Sequence, residues 1–144
     1  TGDMLRGWVY GPILKGYWLD PGRTAVCGNK PSRSQRELIE GSLHIHNTII
    51  DAFRPGITAA EVGKLGDRLV AESEFSVADA AQWGLYGHGL GTFFQPPIVP
   101  AGGVVPPATF ADEPIKAGSV MTVEVFFNAA GVGGVSPVDR SGLF

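Results

Sequence analysis

Glu124 stands inside the apolar run Val120-Met121-Thr122-Val123-Glu124-Val125-Phe126-Phe127. A carboxylate in such a run is costly to bury unless something pairs with it. His88, in Gly87-His88-Gly89-Leu90-Gly91, offers an imidazole, and Asp20, after Tyr17-Trp18-Leu19, offers a second carboxylate. A divalent metal ion uses a neutral imidazole and carboxylates together. Asp, His and Glu on three separated segments therefore point to a metal site. Each residue also has a plainer reading. Asp20 can cap the turn at Pro21-Gly22, His88 can sit in a glycine-lined turn, and Glu124 can pair with Arg23. His44 and His46, two apart, cannot chelate together on a helix and are expected at its surface or edge.

The elements that must position these residues follow from pattern. Gly7–Tyr10 and Ile13–Leu19 flank a Gly11-Pro12 turn and predict a hairpin or meander, with Thr24–Cys27 a further strand. Ser32 with Gln35 forms a capping box ahead of Leu38, Ile45, Ile49 and Phe53 at helical spacing, as far as Arg54-Pro55-Gly56. Thr58 with Glu61 opens a second helix, with Val62, Leu65 and Leu69 on one face, ending near Ser73. Phe75–Trp83 reads equally as helix or strand. Strand returns at Leu85, and a Pro- and Gly-rich loop is expected from Gln95 to Pro107. Val120–Phe127 is the strongest strand pattern, with Thr122, Glu124 and Phe126 on one face. Strands, two helices, then strands define an α+β chain.

Composition bounds the function. The 144 residues are 44% hydrophobic and 17% charged with a net charge of −3, which fits one globular domain with a core. The mild acidity leaves no electrostatic footprint for nucleic acid or an anionic membrane. No run of about 18 apolar residues predicts a membrane span. The opening Thr1–Arg6 has no signal-peptide core and no initial Met, which predicts a processed or partial product. The lone Cys27 excludes an internal disulfide and is consistent with a reducing, cytoplasmic setting.

Four segments, in order, resemble a known family. Gly16-Tyr17, Asp20 and Arg23-Thr24 form the first, and Gln35 with a helix ending in Arg54-Pro55-Gly56-Ile57-Thr58 forms the second. Gly87-His88-Gly89-Leu90-Gly91 and Lys116–Glu124 complete the set. Together they resemble the pita-bread metallopeptidases: aminopeptidase P, proline dipeptidase, methionine aminopeptidase and creatinase. The resemblance implies a curved antiparallel sheet with flanking helices, of which residues 1–144 form the C-terminal portion of a catalytic domain, so a partial domain. It assigns Asp20, His88 and Glu124 to metal binding, with Asp139 as the nearest stand-in for the family's last ligand glutamate. Other positions depart. Val9 stands eleven residues before Asp20, where the family has its first ligand aspartate. Gln95 stands seven residues after His88, where the family has a second histidine, and Val138 stands near the last glutamate position.

What the resemblance implies is a metal-dependent hydrolase similar to Xaa-Pro aminopeptidase or dipeptidase, cleaving a peptide or amide bond through a metal-activated water. Three matching ligands imply one divalent ion (Mn, Fe, Zn or Co) rather than the usual pair. Glu124 would take the proton, and Gln95 would donate a hydrogen bond to the oxyanion, since an amide cannot shuttle a proton as histidine does. Tyr86, Phe93 and Phe94 would line an apolar pocket for a small peptide or other small molecule, with Arg23 as a carboxylate anchor. Two other readings stay open on the same fold. One is a lyase cleaving dimethylsulfoniopropionate by β-elimination, in a pocket of Trp8, Tyr10, Trp83, Tyr86, Phe93 and Phe94 suited to a small cation. The other is an inactive protein-binding module. The exposed sheet edge of a partial domain predicts a homodimer or association with a missing half-domain.

Overall fold

The structure, a computed structural model, describes residues 2–9, 11, 15–19, 21–77, 84–102, 110–124, 127–129, 133–135 and 140–143. Its strands are β1 (Met4–Trp8), β2 (Gly22–Val26), β3 (Ser76–Val77), β4 (Leu85–Leu90), β5 (Phe94–Pro100), β6 (Val120–Val123), β7 (Phe127–Ala129), β8 (Gly133–Val135) and β9 (Arg140–Leu143). Two helices, α1 (Arg33–Ala52) and α2 (Ala59–Ala71), lie between β2 and β3. The strands form a pair β1-β2, a three-stranded sheet β3-β7-β8 and a four-stranded sheet β5-β4-β6-β9. Every pairing is antiparallel. This is the α+β architecture that the pattern implies, with the antiparallel sheets and flanking helices that the pita-bread resemblance implies.

Both helices start where their side chains satisfy orphan amides. The Ser32 hydroxyl accepts from the Gln35 amide (3.2 Å), and the Gln35 side chain accepts from the Ser32 amide (2.9 Å). Leu38, Ile45 and Ile49 then bury one face of α1, each contributing about 1.5–3 kcal/mol. Pro55 cannot continue the helix, and the chain turns there. At α2 the Thr58 hydroxyl accepts from the Glu61 amide (3.1 Å), while the Glu61 carboxylate accepts from the Thr58 amide (2.9 Å). On α2, Val62 is buried, whereas Leu65 and Leu69 are only half-buried. Gly63 and Gly66 take the closest positions against the sheet. A Cβ on Gly66 would lie 2.6 Å from the Tyr86 ring.

The second box carries a pH prediction. The Thr58 backbone amide, and then its hydroxyl, hold the Glu61 carboxyl below the usual glutamate range. A carboxylate stabilised in the folded state supports the fold above its unfolded pKa (about 4.3) and loses that role as pH falls through the folded value. The first turn of α2 is therefore expected to fray selectively in acid. Amide exchange at Glu61 and Val62 should rise below about pH 4 in the native protein and show no such step in Glu61→Gln.

Four expectations need correction. β1 pairs with β2, Met4 opposite Val26 and Trp8 opposite Gly22, so the hairpin partner is not Ile13–Leu19. Among the described residues of that segment, 15–19, none belongs to a named strand. The expected loop from Gln95 begins instead as strand β5. It is the outermost strand of its sheet, and Pro96 and Pro97 fall in an irregularity of the β4–β5 ladder, between the pairs Gly89–Gln95 and His88–Ile98, where no partner residue needs their missing N–H. Val120–Phe127 is not one strand. β6 stops at Val123, and β7, from Phe127, joins the other sheet. His46 is fully buried rather than at the surface, because it continues the inward stripe of Leu38, Ser42, Ile45 and Ile49. His44 is exposed, as expected.

Candidate metal centre

β4 runs between β5 and β6 and carries the glycine–histidine segment. In the β4–β6 ladder Gly87 faces Val123, His88 faces Thr122 and Gly89 faces Met121. The glycines are there because neighbouring backbone leaves no room for a side chain. A Cβ on Gly87 would collide with the Thr122 carbonyl, and one on Gly89 would lie 2.5 Å from the Pro96 carbonyl. Met121 and Val123 point into the core shared with both helices. Alternation therefore puts Thr122, and His88 directly across from it, on the opposite face.

Glu124 follows β6 and extends its ladder by one bond, its amide donating to the Tyr86 carbonyl (3.1 Å). The α1 histidine braces the same point: His46 Nε2 lies 2.6 Å from the Val123 carbonyl. So held, Glu124 Oε1 lies 3.3 Å from His88 Nε2. His88 is fully buried and Glu124 retains 8% exposure. His88 Nδ1 lies 2.9 Å from the Gly89 carbonyl, which can only accept a hydrogen bond. In the tautomer whose Nδ1–H donates to that carbonyl, Nε2 presents its lone pair toward the carboxylate when the ring is neutral. That is the tautomer a metal-binding histidine needs.

The pair fits a divalent ion. Two donors at about 2.1 Å from one ion, at tetrahedral or octahedral angles, stand about 3.0–3.4 Å apart. The 3.3 Å separation lies in that interval. One nitrogen and one carboxylate oxygen also suit a borderline transition ion. Among the described residues no group of three or more His, Cys, Asp and Glu converges. Asp20, Asp139 and Val138 lie outside the described residues. Val9 is described, 59% exposed, and offers no side-chain donor. The expected alternative partner of Glu124, Arg23, lies on β2 with its guanidinium donating to the Gly22 carbonyl (2.5 Å).

The remaining expected site residues separate. Gln95 is exposed and lines a cavity of about 210 Å³ together with Tyr17, Gly91, Pro97 and Met121. Phe93 is 59% exposed and meets Trp18 edge-on at 5.0 Å, where the Trp18 amide also donates to the Gly91 carbonyl (2.8 Å). Phe94 opens β5. Trp83 and Tyr10 lie outside the described residues. Tyr86 turns to α2, where it lines a hollow of about 640 Å³ with Val70, Ala71, Phe75 and Val77, a pocket whose lining does not include His88 or Glu124. The β4–β5 pairing skips Tyr86, passing from Leu85–Pro100 to Gly87–Val99, and such a bulge re-aims a side chain. Its hydroxyl donates to Asp67 (3.0 Å), which also accepts from the Gly102 amide (2.7 Å). Burial, with the Asp67 charge beside it, holds the Tyr86 hydroxyl protonated far above the usual phenol range. Thr122 was not among the expected site residues, although alternation in the apolar run already places it on the face of Glu124.

The family and the fold follow from comparison with known proteins. The profile of metallopeptidase family M24 matches residues 8–139, and the chain belongs to that family. The fold is similar to X-Pro aminopeptidase from Thermotoga maritima (TM-score 0.77, 18% identity), covering 99% of this chain and 37% of that one. It is similar to prolidase from Pyrococcus furiosus (TM-score 0.76, 24% identity), covering 99% and 39%. Methionine aminopeptidase from Thermotoga maritima gives TM-score 0.77 at 18% identity, covering 99% and 60%. The chain thus spans less than two thirds of each of these structures. No curated protein sequence matches it significantly. No helix among the described residues is long and apolar enough to cross a membrane.

Proposed function

We propose that this chain carries the metal-binding part of a hydrolase that cleaves a peptide or amide bond, with Xaa-Pro peptides as the substrate class. The observation that carries this reading is the buried His88–Glu124 pair, 3.3 Å apart, inside a chain of the M24 family. A divalent ion, when bound, polarises the scissile carbonyl and acidifies water. The chain's own residues do the rest. The Gly89 carbonyl accepts from His88 Nδ1 in the metal-binding tautomer, and His88 Nε2 and Glu124 Oε1 would hold the ion. Glu124, poised at the edge of solvent, accepts the proton released by the attacking water.

Val9 supplies no donor at the position of the family's first ligand aspartate, so the site is expected to hold one ion. Elemental analysis after incubation with Mn, Co or Zn and removal of excess ion should find about one equivalent per chain. The functional test is a panel of Xaa-Pro dipeptides with each metal, run beside dimethylsulfoniopropionate with detection of volatile sulfide. Metal-dependent release of proline supports the reading. Sulfide release, or metal binding with no turnover of either substrate, overturns it in favour of a lyase or a binding module.

A further inference from the structure

Thr122 is fully buried, and its hydroxyl makes no hydrogen bond among the described residues. A buried hydroxyl without a partner is a net cost to a fold, so such groups call for a specific explanation. Two other buried hydroxyls share this condition, on Thr24 and Ser42. Ser42 sits on the inward stripe of α1 and Thr24 on β2, whereas Thr122 lies directly across the ladder from His88. It is also two residues before Glu124, on the same face of the extended backbone. The imidazole, the carboxylate and the hydroxyl therefore lie on one side of the β4–β6 ladder, and the hydroxyl is the member with no partner among the described residues.

We propose that Thr122 Oγ1 is a third protein group of this cation site, an oxygen that meets the bound ion's shell beside His88 Nε2 and Glu124 Oε1. The inference rests on the reading of the His88–Glu124 pair as a metal centre. It explains why a hydroxyl occupies a position where a same-shape valine would pack without cost. Its signature is an opposition between stability and binding. Thr122→Val removes the hydroxyl and keeps the volume, so the metal-free protein should become more resistant to urea. The same change should weaken binding. Thr122→Ser keeps the oxygen and should retain affinity.

The test measures urea unfolding of the metal-free protein, and titration calorimetry with Mn²⁺ alone, for the native chain and both variants. The expected result is a higher unfolding midpoint and about tenfold weaker Mn²⁺ binding in Thr122→Val, with Thr122→Ser within about twofold of native affinity. A lower midpoint in Thr122→Val would show the hydroxyl already satisfied inside the protein and would overturn the proposal. So would native affinity in that variant. If the native chain itself binds no Mn²⁺, the metal-centre reading fails, and this inference falls with it. That outcome is recognised in the native titration, independently of either variant.

Discussion

Glu124→Gln should lower the affinity of the protein for Mn²⁺ or Co²⁺ by at least about a hundredfold, more than a change in a ligand's surroundings usually costs. Glutamine keeps the length and shape of the side chain but replaces an anionic oxygen with a neutral amide, a weak ligand for a divalent ion. The fold should tolerate the exchange. In the native chain Glu124 Oε1 lies 3.3 Å from His88 Nε2, and the glutamine amide can donate to that same nitrogen when the imidazole is neutral. The urea midpoint of the metal-free variant should therefore stay close to native while the calorimetric binding signal disappears. Loss of the proton acceptor should also reduce any Xaa-Pro hydrolysis by about two to four orders of magnitude. Unchanged Mn²⁺ affinity in a folded Glu124→Gln protein would remove the carboxylate from the site.

The largest stability effect is expected at Gly87. A methyl group there collides with the backbone carbonyl of Thr122 and lies 3.2 Å from Val123 Cα. Both obstacles are main chain of β6, held in register with β4, so neither can rotate away. Relief requires β4 and β6 to separate, at the step where His88 faces Thr122. Overpacking of this kind costs about 1–3 kcal/mol or more, and Gly87→Ala should fall at the upper end of that range. Gly91→Ala is the control. Its added carbon would lie 2.6 Å from the Gln95 side-chain amide, which can swing aside, so a loss under about 1 kcal/mol is expected. Urea denaturation of the two variants compares them directly. Equal losses would mean that the β4–β6 spacing yields as easily as a surface side chain does.

The two helices were legible because their signals are local. Ser32 with Gln35, and Thr58 with Glu61, need only a three-residue offset to form, and both boxes are present. The closeness of His88 and Glu124 was legible for a different reason. A charge inside an apolar run requires a partner, and the structure supplies one in His88. What sequence pattern missed depends on non-local placement. Pro96 and Pro97 read as a loop until β5 is known to lie at a sheet edge. Tyr86 read as the wall of a substrate pocket flanking His88 until a bulge in the β4–β5 ladder turns it onto Gly66 and Asp67. His46 lay within a readable helical stripe, but a histidine on that stripe needs a buried acceptor, and the Val123 carbonyl is 77 positions away. The Thr122 hydroxyl was the least legible of all, since only a full hydrogen-bond accounting shows that it has no partner.

Pro96, Pro97 and Pro100 have one more consequence. They occupy three of the seven residues of β5, Phe94–Pro100, on the outer margin of the four-stranded sheet. Another polypeptide trying to lengthen the sheet there would meet ring carbons where it needs amide donors. That side is thereby a poor template for a further strand.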